Sequence, residues 1–126
     1  MYPWGKEFDP DKANTAETGI GGTSAVGCFP AGASQPYGIM DLSGNVWEWT
    51  RSLWGTDVMK PEFIYPYDPR DKRREHLTAP DNVYRVLRGG ACWYSQGGAR
   101  CACRDWDSPA GGNDGVGFRM VVLPKL

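Results

Sequence analysis

Hydrophobic and polar positions alternate cleanly in only two stretches of this chain. Val46, Trp47, Glu48, Trp49 and Thr50 form a β-prone run opened by the turn Ser43-Gly-Asn45, and in a strand Trp47 and Trp49 share one face while Glu48 takes the other. In the second stretch Val83, Arg85 and Leu87 alternate with Tyr84, Val86 and Arg88, and Gly89-Gly90 ends the strand. A third strand is expected to include Arg100 to Arg104. The last is expected over Val116 to Leu123, where a near-continuous apolar series suits a central strand covered on both faces.

The intervening segments read as loops. Met1 to Gln35 is rich in Gly, Ala, Thr and Ser, with turn signals at Gly19-Ile-Gly-Gly22 and Pro30-Ala-Gly32, and Tyr2, Trp4, Phe8 and Phe29 are its core candidates. Gly55 to Asn82 is polar and marked by prolines, and Asp105 to Gly115 sets small polar residues around Trp106. No repeat of fixed period is present. The expectation is one domain over residues 1–126, a mostly antiparallel β structure with short strands, long ordered loops and little helix.

Composition sharpens this picture. Gly 17 and Pro 10 make up about a fifth of the 126 residues, close to the level at which composition alone signals disorder, but 13% aromatic residues argue for a packed core. Lys+Arg 14 against Asp+Glu 15 leaves a net charge of −1, so no global field favours nucleic acid or an anionic membrane. The dense charge run from Asp68 to His76 mixes both signs and reads as a solvated loop. No apolar stretch approaches the ~18–20 residues of a membrane span, and no charged-then-apolar leader opens the chain. Cys28, Cys92, Cys101 and Cys103 are too few and too uneven for a disulfide scaffold, and Cys101-Ala-Cys103 lacks the spacing of a structural zinc site.

Five segments in fixed order carry a resemblance. They are Tyr2-Pro-Trp-Gly5, Tyr37-Gly-Ile-Met-Asp-Leu-Ser-Gly-Asn-Val-Trp-Glu-Trp-Thr50, Arg85-Val-Leu-Arg-Gly-Gly90, the Arg100 to Arg104 element and Gly117-Phe-Arg119. Together they resemble the formylglycine-generating-enzyme or sulfatase-modifying-factor type domain, a variant of the C-type lectin fold, over essentially the whole chain. The resemblance implies an α+β fold of the C-type-lectin-like formylglycine-generating-enzyme type. It also implies that the chain corresponds to the C-terminal part of a longer family domain: a fragment, a minimal version, or one piece of a split protein whose N-terminal half or second chain is a partner.

The resemblance further implies calcium, held by Asp41, the carbonyls of Gly44 and Val46, and Glu48. That is a set of oxygens which Ca²⁺ accepts readily. Without calcium, Asp41 would cap its turn and Glu48 would pair with Arg88 or Arg119. A second, weaker calcium set is Asn14, the Thr15 carbonyl and Glu17.

Catalysis fits less well. The family's enzymes oxidise a peptide cysteine to formylglycine with O₂ and copper held by two cysteines, and neither cysteine stands at its expected position here. Only a rearranged pair, Cys92 and Cys101, would supply the two soft thiolates that Cu(I) requires. The single His76 offers no obvious general base.

What the resemblance leaves is a scaffold whose site segment is rich in Trp, Tyr, Ser, Gly, Asn and Asp, the residues that binding loops favour. Trp47, Trp93, Tyr94, Arg104, Asp105, Trp106 and Asp107 form the expected binding set for a protein or small-molecule ligand. The arrangement also resembles the variable proteins of diversity-generating retroelements. The plainer reading is that Trp93 and Trp106 pack loops against the sheet.

Overall fold

The computed structural model describes residues 1–122. Its framework is a small mixed sheet in the order β3-β2-β1-β4, formed by β1 (Trp47–Gly55), β2 (Tyr84–Arg88), β3 (Asp105–Asp107) and β4 (Val116–Gly117). β2 runs antiparallel to both β1 and β3, and β4 runs parallel to β1. Helix is confined among the described residues to single 3-10 turns at Pro10–Lys12, Ala16–Thr18, Pro30–Gly32 and Lys72–Glu75. None of them is long and apolar enough to cross a membrane.

The two alternating stretches form the central pair, with Trp49 opposite Leu87 and Glu48 opposite Arg88. As expected, Trp47 and Trp49 lie on one face. Trp47, Leu87 and Ala91 form the buried cluster, and Trp49, Cys103 and Val116 pack against it. The register slips between Trp49 and Leu53. There the Thr50 hydroxyl donates to the Val86 carbonyl at 2.8 Å, so a side chain satisfies the acceptor where the ladder is irregular.

Two expected strands differ. Arg100 to Arg104 is a turn, closed by Cys103 N–H donating to Arg100 O at 2.9 Å. Its carbonyls are claimed by a side chain rather than a neighbouring strand: Arg88 donates to Cys103 O at 2.5 Å and to Cys101 O at 2.8 Å. The strand comes just after it, at Asp105–Asp107. The C-terminal run is a two-residue strand at the sheet edge rather than a central one, and Phe118, Met120, Val121 and Val122 are exposed. Arg119 accounts for the early end. Its guanidinium donates to Glu48, to Met40 O at 3.0 Å and to Asp41 O at 2.6 Å, which draws the chain out of the ladder after Gly117. Leu123, the end of the expected strand, lies outside the described residues.

The long loops are held by one hub at the Ser43-Gly-Asn45 turn. Gly44 N–H donates to Gly89 O at 2.8 Å, Asn45 N–H to Asn14 O at 2.8 Å, and Cys92 N–H to Asn45 O at 3.0 Å. The Ser43 hydroxyl, buried, donates to Ala99 O at 2.7 Å. Three distant segments therefore converge on one turn. Gly44 is required there, because its φ is +82° and a Cβ would stand 2.4 Å from Asn14 O.

Candidate functional site

The sheet carries a cavity on each side, and their linings have opposite charge. One, of about 550 Å³, is lined by Trp47, Trp93, Tyr94, Asp105, Trp106 and Asp107, together with Leu87 and residues 112–116. Six of the seven residues expected to bind a ligand thus border one space.

Strand alternation sets its floor. Asp105 and Asp107 pair with Leu87 and Arg85 across β2–β3, on the face of Leu87 and Trp47. Trp106, opposite Val86, borders the cavity but turns its ring to the other face, where it meets Tyr84 edge-on at 4.9 Å. The wall is aromatic: Tyr94 lies edge-on to Trp47 at 5.3 Å, and Trp93 packs over Gly115, where a Cβ would stand 2.3 Å from its ring.

The polar groups of the lip are pre-positioned. Asp107 accepts from Ser108 N–H at 2.7 Å and from the Asn113 amide at 3.2 Å, Asn113 accepts from Gly115 N–H at 2.9 Å, and Gly115 O accepts from Trp47 N–H at 2.7 Å. Asp105, Asp107 and Asp114 line the cavity, and among the described residues no Lys or Arg does. The Trp47 indole N–H, on a side chain only 4% exposed, has no acceptor among the described residues. A buried donor without a partner costs about 1–3 kcal/mol.

Arg104 is the exception in the expected set. It lines the other cavity, donates to Phe63 O at 2.8 Å and lies over the rings of Trp54 and Tyr67 at 5.1 and 5.5 Å. The reason is parity, since Arg104 and Trp106 alternate with Asp105 and Asp107.

The first expected calcium set is already neutralised within the chain. Arg119 grips both Glu48 carboxylate oxygens, with Nε to Oε2 at 2.5 Å and Nη2 to Oε1, while also donating to Asp41 O. Glu48 holds the Arg119 guanidinium firmly in its charged form. The Asp41 carboxylate accepts from Gly27 N–H at 2.7 Å, and Gly44 O accepts from Val46 N–H at 3.0 Å. Arg119 thus supplies positive charge at the Glu48 end of the set formed by Asp41, Gly44, Val46 and Glu48, which a Ca²⁺ ion there would have to displace.

In the Asn14 set one oxygen is left without a donor among the described residues, while the Thr15 carbonyl accepts from Thr18 N–H at 3.1 Å. Asn14 is 1% exposed and its side-chain carbonyl oxygen has no donor, although its amide donates to Gly22 O at 2.8 Å. Glu17 stands nearby in sequence, its carboxylate accepting from Thr15 Oγ1 and from Gln96 N–H, each at 2.8 Å. Chiefly the Gln96 N–H, and then Thr15, hold this carboxyl below its ordinary range.

The thiols fit copper poorly. Cys92 is buried, and burial pushes its thiol above the ordinary range, whereas Cys101 is exposed and borders the cavity opposite the aspartates. The two share no cavity. Cys103 is likewise pushed up by burial, with the charge of Asp105 adding to the effect.

The expected binding set left out Leu87, Gly112, Asn113, Asp114, Gly115 and Val116, which also line the cavity. Gly115 is the most telling omission, since only a residue without a side chain lets Trp93 lie there, and a lone glycine in a polar loop carries no signal of that.

Residues 1–123 match the model of the sulfatase-modifying factor enzyme 1-like domain. The chain is 36% identical over 123 residues to serine/threonine-protein kinase pkn1 of Chlamydia pneumoniae, covering 95% of this chain and 17% of that protein. It is 32% identical to inactive C-alpha-formylglycine-generating enzyme 2 of Bos taurus, covering 96% of this chain and 37% of that one. It therefore spans well under half the length of these relatives. The structure of PvdO from Pseudomonas aeruginosa superposes with a TM-score of 0.59 at 24% identity, covering 94% of this chain and 42% of that one.

Proposed function

The chain belongs to the sulfatase-modifying factor enzyme 1-like domain family, and from that membership we propose that it is a binding module of the family rather than an oxidase. It takes a cationic ligand in the cavity lined by Trp47, Trp93, Tyr94, Asp105, Asp107 and Asp114. The observation that carries this reading is the lining itself: three carboxylates and the aromatic rings of Trp47, Trp93 and Tyr94, with no Lys or Arg among the described residues.

Each element of that lining has a role in such recognition. A guanidinium or ammonium attracted to the aspartates would lie against aromatic rings, where cation–π attraction contributes about 0.5–2 kcal/mol depending on desolvation. Asp107, fixed by Ser108 and Asn113, needs little ordering on binding.

A calcium ion, where bound, would be held by Asn14, the Thr15 carbonyl and Glu17, and would supply fixed positive charge that braces the loop through Gln96 toward Tyr94. Oxidase activity is disfavoured by the placement of the thiols. Mass spectrometry of a Cys-x-Pro-x-Arg peptide incubated with the protein, copper and O₂ decides between the two readings. The binding module leaves the cysteine mass unchanged, and conversion to formylglycine would overturn it.

A further inference from the structure

The cavity on the opposite face, about 460 Å³, is lined by Arg88, Arg100 and Arg104 beside Tyr65, Tyr67 and Cys101, and no acidic residue lines it. Among the described residues none of the three arginines has a carboxylate partner. Arg88 is satisfied by carbonyls and Arg104 by one carbonyl and two aromatic faces, so their charges are positioned but not neutralised. Arg104 Nε is buried and has no acceptor among the described residues. A chain with net charge −1 thus gathers three guanidiniums without carboxylate partners around one apolar-walled space.

We infer that this second cavity is an anion site for a carboxylate carried on an apolar body. Guanidinium forks match planar carboxylates, and the tyrosines and Val86 suit an apolar stem. The volume lies in the range of small-ligand pockets, roughly 300–1,000 Å³. The same chemistry arises from a free organic acid or from an acidic side chain of a protein segment. The inference is independent of the cation cavity.

The test follows the Arg104 Nε–H resonance of ¹⁵N-labelled protein. Titration with 3-phenylpropionate is expected to shift it saturably, and the neutral 3-phenylpropanamide to leave it in place. Arg100→Gln is expected to weaken the acid about tenfold without unfolding the chain, since Arg100 is exposed. The Trp93 indole N–H, in the other cavity, should not move. Two capped tripeptides, Ac-Leu-Glu-Leu-amide and its glutamine counterpart, separate the sources. Tighter binding of the glutamyl peptide than of phenylpropionate assigns a protein segment, and the reverse assigns a small acid. Equal shifts from acid and amide, an unchanged affinity in Arg100→Gln, or an equal response to inorganic phosphate would overturn the assignment.

Discussion

Asn14 and Glu17 hold the least obvious chemistry at the level of single residues. Asn14 buries a carbonyl oxygen that no donor among the described residues satisfies, whereas Glu48, the stronger metal candidate by resemblance, is spoken for by Arg119. Calcium is therefore expected to raise the melting temperature relative to chelator, with the gain lost in Asn14→Ala and Glu17→Gln and kept in Glu48→Gln. A ligand at one hundred times its Kd contributes about 2.7 kcal/mol, so differential scanning fluorimetry resolves the effect. Loss of the response in Glu48→Gln alone would move the ion back to the first set. Glu17 also links distant loops through Gln96 N–H, and its folded pKa lies below the ordinary value of about 4.3. A depressed carboxylate stabilises the fold fully above that value and loses its contribution as pH falls through the folded pKa. Urea unfolding of Glu17→Gln should thus approach wild type in acid and fall below it at neutral pH.

At the scale of elements, β1 and β2 were legible because apolar and polar residues alternate there with period two. Of the other two, β4 starts at Val116 as expected but ends after Gly117, and β3 follows the stretch expected to be a strand. Arg100 to Arg104 has strand-like residues, but Arg88 takes its carbonyls from the side, and nothing local in the sequence announces a long-range side-chain grip. The apolar run after Val116 misled for a related reason, since Arg119 reaches Glu48 and two carbonyls near Asp41. Most of the binding set was legible from composition, and Arg104 was not, because the strand starts only at Asp105 and its alternation sets Arg104 on the face opposite Asp105 and Asp107. Two consequences follow at this scale. Arg119→Met should lower the unfolding free energy by about 2 kcal/mol, the range for hydrogen bonds to charged groups in a half-buried setting, measured by urea titration. Gly115→Ala should displace Trp93 and weaken cavity ligands several-fold, with a smaller change in stability, because Trp93 is half exposed and free to swing away.

Across the whole molecule, a net charge of −1 conceals two opposed linings. Asp105, Asp107 and Asp114 gather on one side of a four-stranded sheet, and Arg88, Arg100 and Arg104 on the other. Overall charge therefore says little about what this chain attracts; the local fields decide, and both should weaken with salt. The family scaffold supplies a turn-centred framework, and the residues placed on it determine the ligand.

The central claim is that the aspartate-lined aromatic cavity selects a cation. Tryptophan fluorescence titrated with N-acetyl-arginine amide and with its neutral isostere, N-acetyl-citrulline amide, tests it most directly. The account expects saturable change with the arginine compound, at least tenfold weaker binding of the citrulline compound, and loss of both responses in Asp105→Asn/Asp107→Asn at unchanged stability. Equal binding of the two compounds, or full arginine binding by the double variant, would contradict it.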